Sequence, residues 1–260
     1  MSIHRQTKLR RIVIVGSILG AGFVFYNRAA IVEQVLDTAG SSKAAPDIKS
    51  TVDTSIQKQL SELSYTGQQV QAVNNNQPFF TADELKTNKG AEQKLSRRDW
   101  LGRPQVANAL LNKSLMPSAK REPLTVKTPG YKVYRFNDNG REKYLYNRSH
   151  LIGYQLTGLN NNSRNLITGT VALNATHSDD NQQSMEDFEN QIAGYLRTDS
   201  THYVRYRVTP IYRNIERVAR GVEIEAQSVN NNAIQLNVYI FNVQPNWQIN
   251  YYTGSAIHTN

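Results

Sequence analysis

In the last sixty residues apolar and polar positions alternate. In HYVRYRVTPIYR, Val204, Tyr206 and Val208 alternate with Tyr203, Arg205 and Arg207. A period of two predicts antiparallel strands with one face buried. GVEIEAQSV, AIQLNVYIFNVQ and WQINYYT read the same way, and Asn230, Asn231 and Asn232 form a turn between two of these runs. Earlier, two alternating runs flank Asp138-Asn139-Gly140 in GYKVYRFNDNGREKYLYNRSH. Asn-Gly tolerates the positive φ angles of a tight hairpin turn, so this segment predicts a hairpin with His150 just past its end. NLITGTVAL predicts a further short strand, and residues 68–73 a first one, closed by three asparagines. The helical period appears in SMEDFENQIAGYL, with Met185, Phe188, Ile192, Tyr195 and Leu196 on one face. VANALLNKSLM also carries helical spacing. Thr81 and Glu84 in TADEL have capping-box spacing, and residues 100–104 read as a turn. The expectation is an α+β domain: a central antiparallel sheet with flanking helices.

The pattern changes at the N-terminus. Arg5, Lys8, Arg10 and Arg11 precede an apolar run over residues 12–26. A basic flank followed by an apolar core predicts an export signal, either a cleaved signal peptide or an uncleaved signal-anchor, over residues 1–36. Such a signal delivers the rest to the extracellular face of the cell membrane or into the medium. Residues 37–65, rich in Ser, Thr, Ala, Gln and Lys, read as a stalk with one weak helix, and residues 66–260 as the folded domain.

Charge and composition narrow the chemistry. The formal net charge of +9 over 260 residues favours a polyanionic partner: nucleic acid, anionic lipid or an acidic polymer. With no cysteine, disulfides, thiolate catalysis and Cys-ligated metals are excluded. The stretch YNRSHLIGYQLTGLNNNSRNLITGTVALN, residues 146–174, then stands out. It has one histidine, several asparagines and no carboxylate. An amide oxygen is a hard neutral ligand suited to Mg2+ or Ca2+, and Mg2+ keeps several waters and shares its substrate's phosphate. A neutral His150 would take a proton from an attacking water. By residue type alone, a single loop histidine is more often simply polar.

NRSHLIGYQ, followed by SRNL and ALNA, resembles the DNA/RNA non-specific endonucleases with a ββα-metal active-site motif, and especially the DNA-entry nucleases and secreted DNases of Gram-positive bacteria. The similarity runs over residues 77–254 and includes LGR at 101–103, ANAL at 107–110, LMPS at 115–118, VRYRV at 204–208 and NYYTG at 250–254. The resemblance implies a Mg2+-dependent endonuclease acting on DNA, with RNA as an alternative substrate, leaving 5′-phosphate products. Mn2+ or Ca2+ are implied substitutes, and no small-molecule cofactor is implied. It assigns His150 as general base, Asn174 as metal ligand, Glu189 as a carboxylate supporting the metal through its waters, and Asn165 as a neighbour of the site. Arg148 matches the motif arginine. Asn147 stands where the family usually has Asp, and Ser149 where it often has Gly. Loss of that charge leaves a second reading, a catalytically impaired nucleic-acid-binding protein on the cell surface. A third is an unrelated binder of cell-wall or lipid polymers.

Other residues carry weaker signals. Arg97, Arg98, Arg103, Lys120 and Arg121 suggest phosphate contacts, with Trp100 embedded among them. Arg205 and Arg207 share one side of a strand and also suggest a duplex-facing surface. His177 with Asp179 and Asp180 reads as a polar approach to a helix, Asp serving as N-cap. His202 has no constellation, and His258 falls in a mobile tail by its position.

Overall fold

The structure, a computed structural model, describes residues 48–138, 140–175 and 183–259. The expected export signal, the His177-Asp179-Asp180 group and Asn139 lie outside the described residues. Among the described residues no helix is long and apolar enough to cross a membrane.

The strands are, in chain order, β1 (Val70–Ala72), β2 (Glu92–Leu95), β3 (Ala107–Asn112), β4 (Arg135–Asp138), β5 (Arg141–Tyr144), β6 (Tyr146–His150) and β7 (Leu166–Thr170). They continue as β8 (Tyr203–Ile211), β9 (Gly221–Ser228), β10 (Gln235–Phe241), β11 (Trp247–Ile249) and β12 (Ala256–His258). The helices are α1 (Ile48–Glu62), α2 (Tyr154–Thr157), α3 (Val171–Asn174) and α4 (Met185–Thr198). One antiparallel sheet, ordered β1-β10-β9-β8-β3-β2, forms the body, and three two-stranded hairpins (β4–β5, β6–β7 and β11–β12) surround it. This is the α+β arrangement the alternation predicted.

Two elements differ from expectation. Residues 107–112 form a central strand, not a helix, because β3 lies between β2 and β8 with Ala107 opposite Val208 and Asn112 opposite Tyr203. Five of its six residues are buried. A short run of apolar residues buried on both faces has no distinguishing period, so its neighbours decide. The β4–β5 hairpin forms as expected, but His150 does not follow it. Buried Leu145 switches the chain from one hairpin to the next: its N–H donates to the Tyr134 carbonyl and its carbonyl accepts from Val171 N–H. The chain then re-enters as β6, and His150 is the last residue of that strand, opposite Leu166 of β7.

One face of the sheet packs on α4. Val204, Tyr206 and Val208 join Phe188, Ile192 and Leu196 in one apolar cluster. Full burial of such side chains contributes roughly 1.5–3 kcal/mol each. Ser184 caps α4 in a capping box with Asp187, so the expected Asp N-cap is replaced by a serine. The other face of the sheet is covered as well, which the alternation did not foretell. Phe79 and Phe80 lie over it: Arg207 donates to the Phe79 carbonyl and sits 4.8 Å from the Phe80 ring centre. Thr81 and Glu84 exchange the reciprocal bonds of a capping box on a turn with no helix beyond it. Ile56 and Leu60 of α1 pack with Ile211, Tyr239 and Phe241 in a second cluster, so the packed body reaches back to Ile56.

Candidate active site

The site is built where the β6–β7 hairpin meets the N-terminal half of α4. Asn242, fully buried, fastens the hairpin to the sheet: its amide donates to the carbonyls of Thr168 and Ala219, and its Oδ1 accepts from Thr170 N–H. Thr170 caps α3 by accepting from Leu173 N–H and donates its own hydroxyl proton to the Val243 carbonyl. Ala172 N–H is held by Gln244 Oε1. Asn174, at the last position of α3, is thus carried on a turn pinned at two points.

Asn174, His150, Glu189 and Arg121 line one cavity of about 250 Å³, with Gly153, Gln155 and Glu186 among its other walls. His150 is 7 % exposed. Its Nε2 lies 2.7 Å from the Asn160 carbonyl. A carbonyl can only accept, so Nε2 carries the proton of the neutral ring and Nδ1 carries the lone pair. Nδ1 lies 3.5 Å from the Arg121 guanidinium. Burial pushes the imidazole down to about 4; the Asn160 bond opposes this and the nearby Arg121 charge adds to it. The ring is therefore neutral at pH 7, with the Nδ1 lone pair turned toward the Arg121 guanidinium.

Glu189 faces the opposite problem. Burial pushes its carboxyl up to about 8, against the lowering effect of bonds from the Gln155 side chain and the Gly153 N–H. The approach to Gly153 is so close that a Cβ there would collide with the Glu189 carboxylate. The glycine serves that contact rather than an unusual φ. Gln155 is itself held by Asn190 Oδ1 at 2.9 Å.

The remaining predicted residues divide. Asn165, fully buried, accepts from Ile152 N–H and donates to the Ile152 carbonyl, so it shapes the turn after His150 rather than lining the cavity. Arg148 donates from Nε to the Val126 carbonyl at 2.6 Å and lies 4.6 Å from the Tyr131 ring centre. Asn147 sits opposite Gly169 in the hairpin. Neither lines the cavity. Ser149 has ordinary extended backbone, so serine is a mild change there; its buried hydroxyl occupies space left by Gly169, where a Cβ would collide with it.

Among the basic residues, Arg121 reaches the cavity, while Arg97, Arg98 and Lys120 are exposed outside it. Arg103 departs from expectation. It binds Asp99 through Nε at 2.7 Å, donates from Nη1 to the carbonyls of Asn214 and Glu216, and packs on Tyr212, so its Nε and Nη1 are committed to the body of the protein. Arg207 is also committed internally, to Glu225 and Glu84, so it does not face a duplex. Arg205 is mostly covered and lies 3.7 Å from Glu92. His202 stacks on Tyr195 at 4.1 Å and belongs to the end of α4. His258 sits in β12 against Trp247, not in a loose tail.

Gly153, Gln155 and Asn160 were missed in the sequence. Only the position of Gly153, three residues after the histidine, offered a signal. Asn160 acts through its carbonyl, which every residue has. The asparagine-rich loop is a set of clamps: Asn161 Oδ1 accepts from Thr125 and Val126 N–H, and Asn160 donates to the Glu122 carbonyl. These bonds hold the segment that leads to Arg121 against the loop that holds His150.

Comparison with known proteins follows the same outline. A family model described as DNA/RNA non-specific endonuclease matches residues 85–230, more than half of the chain. NucA from Streptococcus agalactiae with no metal bound is 25 % identical, with a TM-score of 0.64 over 75 % of this chain and 89 % of that one. The magnesium-bound form of NucA gives 24 % identity and a TM-score of 0.66 over 85 % and 99 % of the two chains. Sda1 nuclease with a bound zinc ion gives 23 % and 0.56, over 65 % and 82 %.

Proposed function

The chain belongs to the DNA/RNA non-specific endonuclease family, and from that premise we propose that it is a divalent-metal-dependent endonuclease whose site is the His150 cavity. The observation that carries this reading is the convergence of His150, Asn174, Glu189 and Arg121 on one cavity.

The donor set fits a hard cation. Among the described residues no group of three or more His, Cys, Asp or Glu side chains could cage a metal ion. One amide oxygen and one buried carboxylate suit an ion that keeps its waters, as Mg2+ does. The lack of a nearby positive charge sufficient to ionise Glu189 is what a cation would correct. Asn174 would hold the ion directly and Glu189 through its water shell, in a ββα-metal unit made of β6, β7 and the helices that follow. When bound, it would neutralise charge on the scissile phosphate and the leaving 3′-oxygen. NucA was solved with magnesium and Sda1 with zinc, which supports a divalent metal without selecting one.

His150 Nδ1 accepts the proton from the water that attacks phosphorus in line. The Asn160 carbonyl keeps the ring in the tautomer this requires and orients it. Arg121, beside the lone pair, holds a non-bridging phosphate oxygen. The product carries a 5′-phosphate. The +9 charge draws the polyanion in, and the basic, apolar N-terminus supports export, as a signal-anchor or a cleaved signal.

Asn147 does not line the cavity, which weakens the ground for a catalytically impaired binding protein. The deciding experiment is plasmid nicking with and without EDTA, beside His150→Ala. Nicking that needs the metal and His150 is the expected result. Undiminished nicking by His150→Ala removes the mechanism, and salt-sensitive DNA binding with no nicking by the wild type returns the impaired reading.

A further inference from the structure

The turn that carries Trp100 is built far more firmly than an exposed loop needs. Gly102 N–H donates to the Asp99 carbonyl and Asp99 N–H to the Arg103 carbonyl. Asp99 Oδ1 accepts from the N–H groups of Leu101 and Arg103, while its Oδ2 takes Arg103 Nε. Gly102 has φ of 75°, which closes the turn at little steric cost. Arg103 then ties the turn to the body through the carbonyls of Asn214 and Glu216.

At the tip of this fixed turn Trp100 is 83 % exposed, the most exposed large hydrophobic side chain among the described residues. Among the described residues its ring stacks on no other aromatic side chain. An indole left in water on a rigid support does nothing for the core. Arg97 and Arg98 precede it, both exposed and neither in an ion pair among the described residues. Arg98 folds along the turn, its Nη1 3.9 Å from where a Cβ on Gly102 would sit. The only carboxylate of the turn, Asp99, is neutralised by Arg103.

The turn also stands on the end of the sheet to which the β6–β7 hairpin is fastened. It leads into the start of β3, opposite the last part of β8, where β9 begins and β10 ends. Asn242, just past β10, joins that end to the hairpin through the carbonyls of Ala219 and Thr168.

We propose that Trp100 is a base-stacking platform for the nucleic-acid strand, with Arg97 and Arg98 contacting the adjoining phosphates. This rests on the nuclease reading above and adds a contact outside the cleavage cavity. A rigid exposed ring gains from stacking on any base without sequence preference, and it needs an unpaired base. Single-stranded nucleic acid is therefore the ligand expected to engage it. A Trp-Arg tip also suits an anionic membrane surface, which the experiment separates.

The chain has two tryptophans, so Trp247→Phe leaves Trp100 as the sole indole. In a full-chain His150→Ala, Trp247→Phe background, a single-stranded oligonucleotide should quench the fluorescence. Trp100→Ala should weaken binding of that oligonucleotide about tenfold, with a smaller effect for Trp100→Phe. A matched blunt duplex should show less of both effects. Unchanged oligonucleotide affinity in Trp100→Ala overturns the proposal. So does Trp100 fluorescence that responds to phosphatidylglycerol vesicles and not to the oligonucleotide. If the wild type nicks plasmid and binds the oligonucleotide while Trp100 stays silent, this inference alone fails. If the wild type neither binds nor nicks, the nuclease reading fails and takes this one with it.

Discussion

The molecule buries ionisable groups in two places and treats them differently. On one face of the sheet Arg207 meets Glu225, with Glu84 on its other side and Phe80 over its plane. At the cavity His150 and Glu189 have no such ion pair: burial pushes each toward its neutral form, and the nearby Arg121 charge only partly offsets this for Glu189. The first arrangement is complete in itself and serves the fold. The second is the one that the proposed cation would complete. A buried charge becomes a sign of function when its partner is missing, not when it is buried.

The largest test of that contrast is a pair of truncations. His150→Ala should lower nicking by about two to four orders of magnitude, the range lost with a general base, while the melting temperature changes little. Glu225→Ala should do the reverse. Leaving Arg207 buried with only Glu84 should cost about 3–5 kcal/mol in a denaturant titration, with activity per folded molecule retained. If Glu225→Ala abolishes turnover in folded protein, the two regions are not separate.

Gly153→Ala sharpens the cavity side. The added methyl must displace the Glu189 carboxyl, so a loss of about 1–3 kcal/mol is expected together with weaker metal activation. Alanine at Gly194, where a Cβ would meet nothing within 4 Å, is the control and should be neutral or mildly stabilising.

The smallest effect is a pH dependence. The folded-state value of Glu189 lies above its unfolded one, so its contribution is fully present below about pH 4.5 and is lost as pH rises through about 8. His150 lies below its unfolded value, so its neutral burial stabilises above about 6.5 and that is lost as pH falls through about 4. In EDTA, thermal melts should therefore show stability falling between pH 6.5 and 8, and Glu189→Gln should flatten that limb. A Mg2+-induced rise in melting temperature should be larger at pH 8 than at pH 6, since binding must first displace the Glu189 proton. An equal rise at both values would show that the ion does not sense this carboxyl.

Much of this was legible in the chain. Val204, Tyr206 and Val208 announced their strand because one face packs on a helix and alternation records that. Met185, Phe188 and Ile192 announced α4 for the same reason at a different period. β3 did not, because a strand paired along both edges with β2 and β8 and buried at five of its six residues has no polar beat to read. His150, Asn174 and Glu189 could be named from motif order. Their convergence depends on Asn242, some seventy residues away, and on Leu145 switching hairpins, neither of which leaves a local pattern.

The sequence by itself determined the alternating strands, the amphipathic helix, the basic charge and the residues of the family motif, since each is written in local periodicity or in side-chain chemistry. Tertiary structure alone decided which charges are satisfied. Arg103, Arg207 and Arg121 are the same residue type in similarly basic surroundings. One closes a turn, one lies sealed against glutamates, and one opens onto the cavity. The physical reason is that an ion's role is set by its distance to other charges and to water, and those distances exist only after the chain has folded.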